Sequence, residues 1–121
     1  MSFARSVDGG ASFSEPIVLD GKSTAGAVPW GRVDVVTLDD GRSVVRWVAR
    51  GGAAEGQLAL AWIEGDGPLW RERMTVPGPE PARQIGFPQM VLDGEDLILA
   101  WTAAEGENSH RVHTVRITEN R

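Results

Sequence analysis

An internal repeat with an offset of 54 residues constrains the fold of this chain more than any other feature of its sequence. The match needs no gap and covers three segments in succession: 33–39 on 87–93, 44–47 on 98–101, and 58–63 on 112–117. At an offset of 57, residues 13–19 also fall on residues 70–76. A repeat of this length is too long for most helical repeats, so it predicts similar units of several strands each.

The hydrophobic pattern indicates an all-β protein. Three strand-length segments are almost continuously apolar, which predicts burial on both faces: 43–48, 58–63 and 97–101. Residues 70–76 alternate as an outer or edge strand does, with Trp70, Glu72, Met74 and Val76 on one face and Arg71, Arg73 and Thr75 on the other. Clusters of Gly, Pro and Asp separate these segments, and no window has a convincing helical period.

A short motif near the N-terminus predicts a tight hairpin turn. Ser6-Val7-Asp8-Gly9-Gly10-Ala11-Ser12-Phe13 has the form Ser-x-Asp-x-Gly-x-Ser-aromatic. Its Asp and Ser side chains supply hydrogen bonds to the backbone, and its glycines accept positive φ angles. Phe13 is expected to anchor the following strand. We therefore predict a structural role for the five motif residues: Ser6, Asp8, Gly10, Ser12 and Phe13.

Together, the motif and the repeat resemble the Asp-box (BNR repeat) β-propellers of the bacterial sialidase-like family, over essentially the whole chain. The resemblance implies part of a six-bladed propeller with four-stranded antiparallel blades and about nine strands. Residues 1–20 would form the end of one blade, with the Asp-box at an outer turn. Residues 32–77 would form a complete blade, and residues 86–118 an incomplete one.

A propeller ring needs at least about four blades, so one copy of this chain is not expected to close a ring. Either the chain is a piece of a longer protein, or copies join, or the strands form a different sandwich. If the two inner strands of the last blade of one copy joined the two outer strands of the first blade of the next, three copies would form six blades. The sequence therefore predicts a homotrimer as one way to complete the propeller.

The resemblance implies a catalytic apparatus that this chain does not contain in full. Sialidases use three arginines, a Tyr nucleophile activated by Glu, and an Asp acid/base. The chain has no tyrosine and no Arg-Ile-Pro motif, so we predict no catalytic residues and no catalysis by this chain alone. Two alternatives stay open: part of an active exo-sialidase or other glycoside hydrolase with its catalytic residues in further blades, or an oligomerising interaction scaffold.

Three residues are candidates for binding a carbohydrate or a carboxylate ligand. Arg32 begins a predicted innermost strand, and Arg83 precedes the equivalent strand of the next unit. The planar guanidinium group of Arg suits a carboxylate. Trp30 lies just before Arg32, where it would reach the rim of the propeller. The alternative is that both arginines are solvated charges, and that Asp34 pairs with Arg32.

Other residues that suggest chemistry favour structural roles. His110 and His113 are three apart in a predicted strand and would lie on opposite faces, which does not suit a shared metal site. Four tryptophans fall at predicted packing positions: Trp47, Trp62, Trp70 and Trp101. No phosphate-binding loop or metalloprotease motif is present, so the sequence predicts no cofactor and no metal.

Composition limits the classes of partner. Twelve basic and 17 acidic side chains give a net charge of −5 without a basic stripe, so we predict no nucleic-acid partner. The chain has no cysteine, which excludes disulfides and thiolate metal sites. The N-terminal residues lack the apolar region of a signal peptide, and no segment is apolar enough to span a membrane. The family resemblance implies a periplasmic or extracellular location for a full-length version.

Overall fold

The computed structural model describes residues 1–19, 28–50, 57–64, 67–75, 88–104 and 106–118. Within these ranges the chain is all β and contains no helix, so the prediction of an all-β fold is confirmed. Nine strands lie in the described ranges: β1 Ser2–Phe3, β2 Ile17–Val18, β3 Val28–Thr37, β4 Ser43–Arg50, β5 Gln57–Glu64, β6 Gly67–Thr75, β7 Gln89–Asp93, β8 Asp96–Ala104 and β9 His110–Ile117.

The strands form three antiparallel sheets, each made of strands that follow one another in sequence. The N-terminal hairpin contains β1 and β2, the central sheet has the order β3-β4-β5-β6, and the C-terminal sheet has the order β7-β8-β9. The 54-residue offset places β4 on β8 and β5 on β9. Among the described residues the sheets form an open series and not a closed ring.

The central sheet is covered on both faces. Side chains of β4 and β5 point alternately to opposite faces, as they do in any strand, and two apolar clusters lie on the two sides. One cluster joins the central and C-terminal sheets: Leu38, Val44, Val48, Leu58, Leu60, Trp62, Met90, Leu97, Leu99, Trp101 and Ala103. The other joins the central sheet to the N-terminal hairpin: Leu19, Val45, Trp47, Ala59, Ala61 and Ile63. The predicted two-faced burial of β4 and β5 is confirmed.

The tryptophans follow the repeat. Trp47 of β4 and Trp101 of β8 are separated by 54 positions, and each is buried against the sheet that precedes its own. Trp62 is also buried, so the packing role predicted for these three residues is confirmed. Trp70 belongs to β6, whose side chains lie outside the described part. As predicted, β6 is the last strand of its sheet.

Candidate functional site

A β-bulge interrupts β3, the first strand of the central sheet. Trp30 pairs with Val48 and Asp34 pairs with Arg46, so β3 advances by four residues while β4 advances by two. Residues 31–33 form the irregular segment between these pairs. Bulges redirect side chains and are common beside functional sites. Arg32, at the centre of this bulge, is exposed.

Arg46 of β4 supports the bulge from inside the protein. Its side chain is fully buried, at 0% exposure. Nη1 donates to the carbonyl oxygen of Arg32 at 3.2 Å. Nη2 donates to Oδ2 of Asp34 and, at 2.8 Å, to the carbonyl oxygen of Pro88. One guanidinium group therefore fixes the bulge of β3 and the residue that precedes β7.

The Arg46 cluster, in which the buried guanidinium group contacts Arg32, Asp34 and Pro88, carries a desolvation cost. Removing a guanidinium group from water costs several kcal/mol, which only a counter-charge and good hydrogen bonds offset. Asp34 provides the counter-charge, and its side chain is 28% exposed. Arg46 Nε is buried and has no hydrogen-bond partner in the described part of the chain. In return, Arg46 fixes the positions of the Arg32 and Pro88 carbonyl groups, which an apolar side chain at position 46 could not do.

Arg46 is not among the candidate site residues predicted from the sequence. The available signal was a lone charge in the apolar run Val44-Val45-Arg46-Trp47-Val48, within a strand expected to be buried on both faces. Such a charge needs a buried partner. Asp34, an expected partner for Arg32, forms an ion pair with Arg46.

The structure brings two of the three ligand candidates to one end of β3. Trp30 is the last residue paired before the bulge, and Arg32 lies within it. The side chain of Trp30 lies outside the described part, as does Arg83 altogether. Beside Arg32 the surface is partly apolar, since Val33 is 45% exposed and Val35 is 58% exposed.

The Asp8 turn, residues 6–13, is closed by its own side chains. The Asp8 carboxylate accepts hydrogen bonds from the Ser12 backbone N–H at 2.9 Å, from Ser12 Oγ at 2.5 Å and from Ser6 Oγ at 2.8 Å. Ser6 Oγ in turn accepts from the Gly10 N–H at 2.8 Å. The bonds from the Ser12 hydroxyl, the Ser12 backbone and Ser6 lower the pKa of Asp8 to about 2. Gly9 and Gly10 have φ angles of 74° and 92°, which favour glycine.

The Asp8 turn is exposed and lies at the end of the N-terminal hairpin. Phe13 is 65% exposed, so it does not provide the expected anchor. Leu19, at 1% exposure, packs against the central sheet instead. Arg5 adds a polar connection, donating to Ser43 Oγ at 3.2 Å and to the Ile63 carbonyl at 3.3 Å. The turn therefore needs no apolar contact of its own, because neighbouring residues attach the hairpin.

The two histidines lie on β9 and differ in environment. His110 is exposed. His113 is half-buried and stacks on Trp101, with ring centroids 5.9 Å apart and an interplanar angle of 13°. This contact was not predicted from the sequence, because it depends on the pairing of Trp101 with His113 across β8 and β9. In the described ranges, no group of three or more His, Cys, Asp and Glu residues could hold a metal ion.

Comparisons with protein-family models, with curated proteins and with solved structures found no match to this chain. The described residues also contain no helix long and apolar enough to cross a membrane. The observations that bear on function are therefore geometric. They are an exposed arginine, Arg32, in a bulge whose backbone is held by the buried Arg46, and a turn at Asp8 that is closed by its own side chains.

Proposed function

We propose that this chain is a non-catalytic binding module of the Asp-box β-propeller type, in which Arg32 binds a ligand that carries a carboxylate, such as an acidic sugar. The observation that carries this proposal is the bulge of β3, which exposes Arg32 while buried Arg46 holds its carbonyl oxygen. A guanidinium group on a fixed backbone loses less freedom on binding than one on a mobile loop.

The stacking of the sheets supports the propeller part of the proposal. Each sheet is an antiparallel meander, and the central sheet has a neighbour on each face. The first strands of the central and C-terminal sheets, β3 and β7, contact each other. Blades of a propeller pack in this way, with their first strands around a central channel. The bulge with Arg32 would then face the channel.

The state of Asp34 favours binding over catalysis. It is the carboxylate nearest in sequence to Arg32, and it accepts a hydrogen bond from buried Arg46. That carboxylate already has a structural partner in the interior, so it is a poor candidate for taking a proton from a substrate. With no tyrosine in the chain, a sialidase nucleophile would have to come from other blades.

The test is a titration with the methyl glycoside of sialic acid and with its uncharged methyl ester, followed by NMR chemical shifts of the 121-residue protein. We expect the acid to bind and the ester to bind more weakly. A charge-assisted hydrogen bond contributes about 1.5–3 kcal/mol, so Arg32→Gln should weaken binding by about 10- to 100-fold.

Arg111→Gln is the matched control, because Arg111 is also an exposed arginine but lies on β9. It should leave the affinity unchanged. Equal affinity for the acid and the ester, or equal losses in the two variants, would refute the role of Arg32. Cleavage of the glycoside by the purified chain would instead favour the hydrolase alternative.

A further inference from the structure

The outer strand of the C-terminal sheet, β9, has a long exposed edge. None of its eight side chains is buried. It pairs with β8 in one uninterrupted register from His110 to Ile117, and within the described ranges it pairs with no other strand. Alternate residues of an antiparallel strand direct their backbone N–H and C=O groups away from a given neighbour. About half of the backbone groups of β9 therefore face outward.

The repeat shows which kind of element pairs with the equivalent edge in the central sheet. The 54-residue offset places β9 on β5, and the equivalent edge of β5 is paired with β6 from Gln57 to Glu64. In the central sheet, β6 occupies this position. In the C-terminal sheet, no described strand occupies it. By analogy with the central sheet, an antiparallel strand fits beside β9.

The usual protections of an edge strand are weak in β9. Natural edges avoid pairing by means of proline, bulges or exposed charge. β9 has no proline and no register shift. Arg116 donates to Asp93 at 2.6 Å and to Asp96 at 2.7 Å, so its own sheet compensates its charge. Another strand could approach β9 without meeting an uncompensated charge at this position.

We propose that β9 pairs with β9 of a second copy, antiparallel and about a twofold axis at Thr114. The two three-stranded sheets then form one sheet of six strands. Arg111 lies opposite Ile117 of the partner subunit, Val112 opposite Arg116 of the partner subunit, and His113 opposite Val115 of the partner subunit. No like charges face each other directly, and such facing pairs are destabilising.

This register has advantages that a neighbouring one lacks. An axis at His113 would place that histidine against its own copy and His110 opposite Arg116 of the partner subunit, which repel when the histidines are protonated. With the axis at Thr114, Arg116 of the partner subunit faces the apolar Val112, and its charge is compensated within its own sheet.

The dimer differs from the predicted trimer in the strands that meet. The trimer joins the N-terminal hairpin of one copy to the C-terminal sheet of another. Pairing of β9 with β9 leaves the N-terminal hairpin on its own central sheet, where Leu19 is buried.

The first experiment measures mass by light scattering over a range of protein concentrations. We expect twice the 13.0 kDa of one chain at high concentration. Thr114→Lys places two like charges opposite each other at the axis and should return the mass to that of one chain. Thr37→Lys is the matched control, since Thr37 is also an exposed threonine at the end of a strand of another sheet, and it should remain dimeric.

The second experiment reports on the axis directly. The chain has no cysteine, so Thr114→Cys can be cross-linked through thiols only between copies. A short bismaleimide should join two Thr114→Cys chains much faster than two Thr37→Cys chains. The proposal is overturned by a single-chain mass at all concentrations, by a trimer, by a dimer that Thr114→Lys leaves intact, or by equal cross-linking of the two cysteine variants.

Discussion

Removing Asp34 should destabilise this protein more than removing the buried arginine that it pairs with. Asp34→Ala leaves the Arg46 guanidinium group at 0% exposure without its counter-charge. Breaking a buried pair by removing one partner costs about 3–5 kcal/mol. Because Asp34 is 28% exposed, water can reach the vacated side, and we expect the lower end of that range, about 3 kcal/mol.

Arg46→Met has a smaller expected effect. The variant removes the dehydrated cation itself, and the Asp34 carboxylate that remains can be hydrated through its exposed side. The variant loses the donor to the buried Pro88 carbonyl, at 2.8 Å, and the donor to the part-buried Arg32 carbonyl, at 3.2 Å. Leaving a buried acceptor unsatisfied costs about 1–3 kcal/mol. The double variant Asp34→Ala with Arg46→Met has no buried charge at this site. It should therefore be more stable than Asp34→Ala alone.

Urea unfolding followed by tryptophan fluorescence measures these differences, because Trp47 and Trp101 are buried in the folded protein. The free energy of unfolding comes from linear extrapolation to zero urea. A total stability of about 5–15 kcal/mol is usual for one domain, so a loss of 3 is easily measured. The reasoning is refuted if Arg46→Met is the more damaging single variant, or if the double variant is less stable than Asp34→Ala.

Two further predictions test other parts of the structure. The pKa of Asp8 is lowered in the folded state to about 2 from 3.8, so the contribution of its ionised form to stability is present above pH 3.8 and is lost as the pH falls towards 2. Urea unfolding at several pH values should show Asp8→Asn less stable than the parent at pH 6, with a gap that narrows as the pH falls from about 4 towards 2. A gap that does not depend on pH would contradict this. Trp47→Ala should cost about 3–5 kcal/mol in the same assay at neutral pH, and a loss below 1 would show that the residue does not fill the core as described.

The coarse fold could be predicted from the sequence because it depends on local pattern. Uninterrupted apolar runs predicted the two-faced burial of β4 and β5, and alternation predicted β6 as an edge strand. The repeat placed Trp47 and Trp101 at equivalent positions, and both are buried against the preceding sheet. Each of these properties follows from the side-chain period of a strand and needs no knowledge of which strands meet.

The details of the site depend on register, which the sequence does not display. The bulge at residues 31–33 exists only relative to β4, and the contact of Arg46 with Pro88 joins two sheets. The contact of His113 with Trp101 likewise requires the alignment of β8 and β9. For Phe13, the sequence predicted a contact that the structure does not have. The motif indicated an anchor at Phe13, whereas Leu19, six residues later, packs in the core.

The bulge in β3 also determines which insertions and deletions this strand can tolerate. Between the pairs Trp30–Val48 and Asp34–Arg46, β3 contains two more residues than β4. Two is one full side-chain period of a strand, so the segments before and after the bulge keep the same orientation towards the sheet. Loss of a single residue there would turn one of these segments over, whereas loss of two would straighten the strand and leave both in phase. The length of this segment can therefore vary during evolution in steps of two residues. Such a change could add or remove Arg32 without reversing the orientation of the side chains that pack in the core.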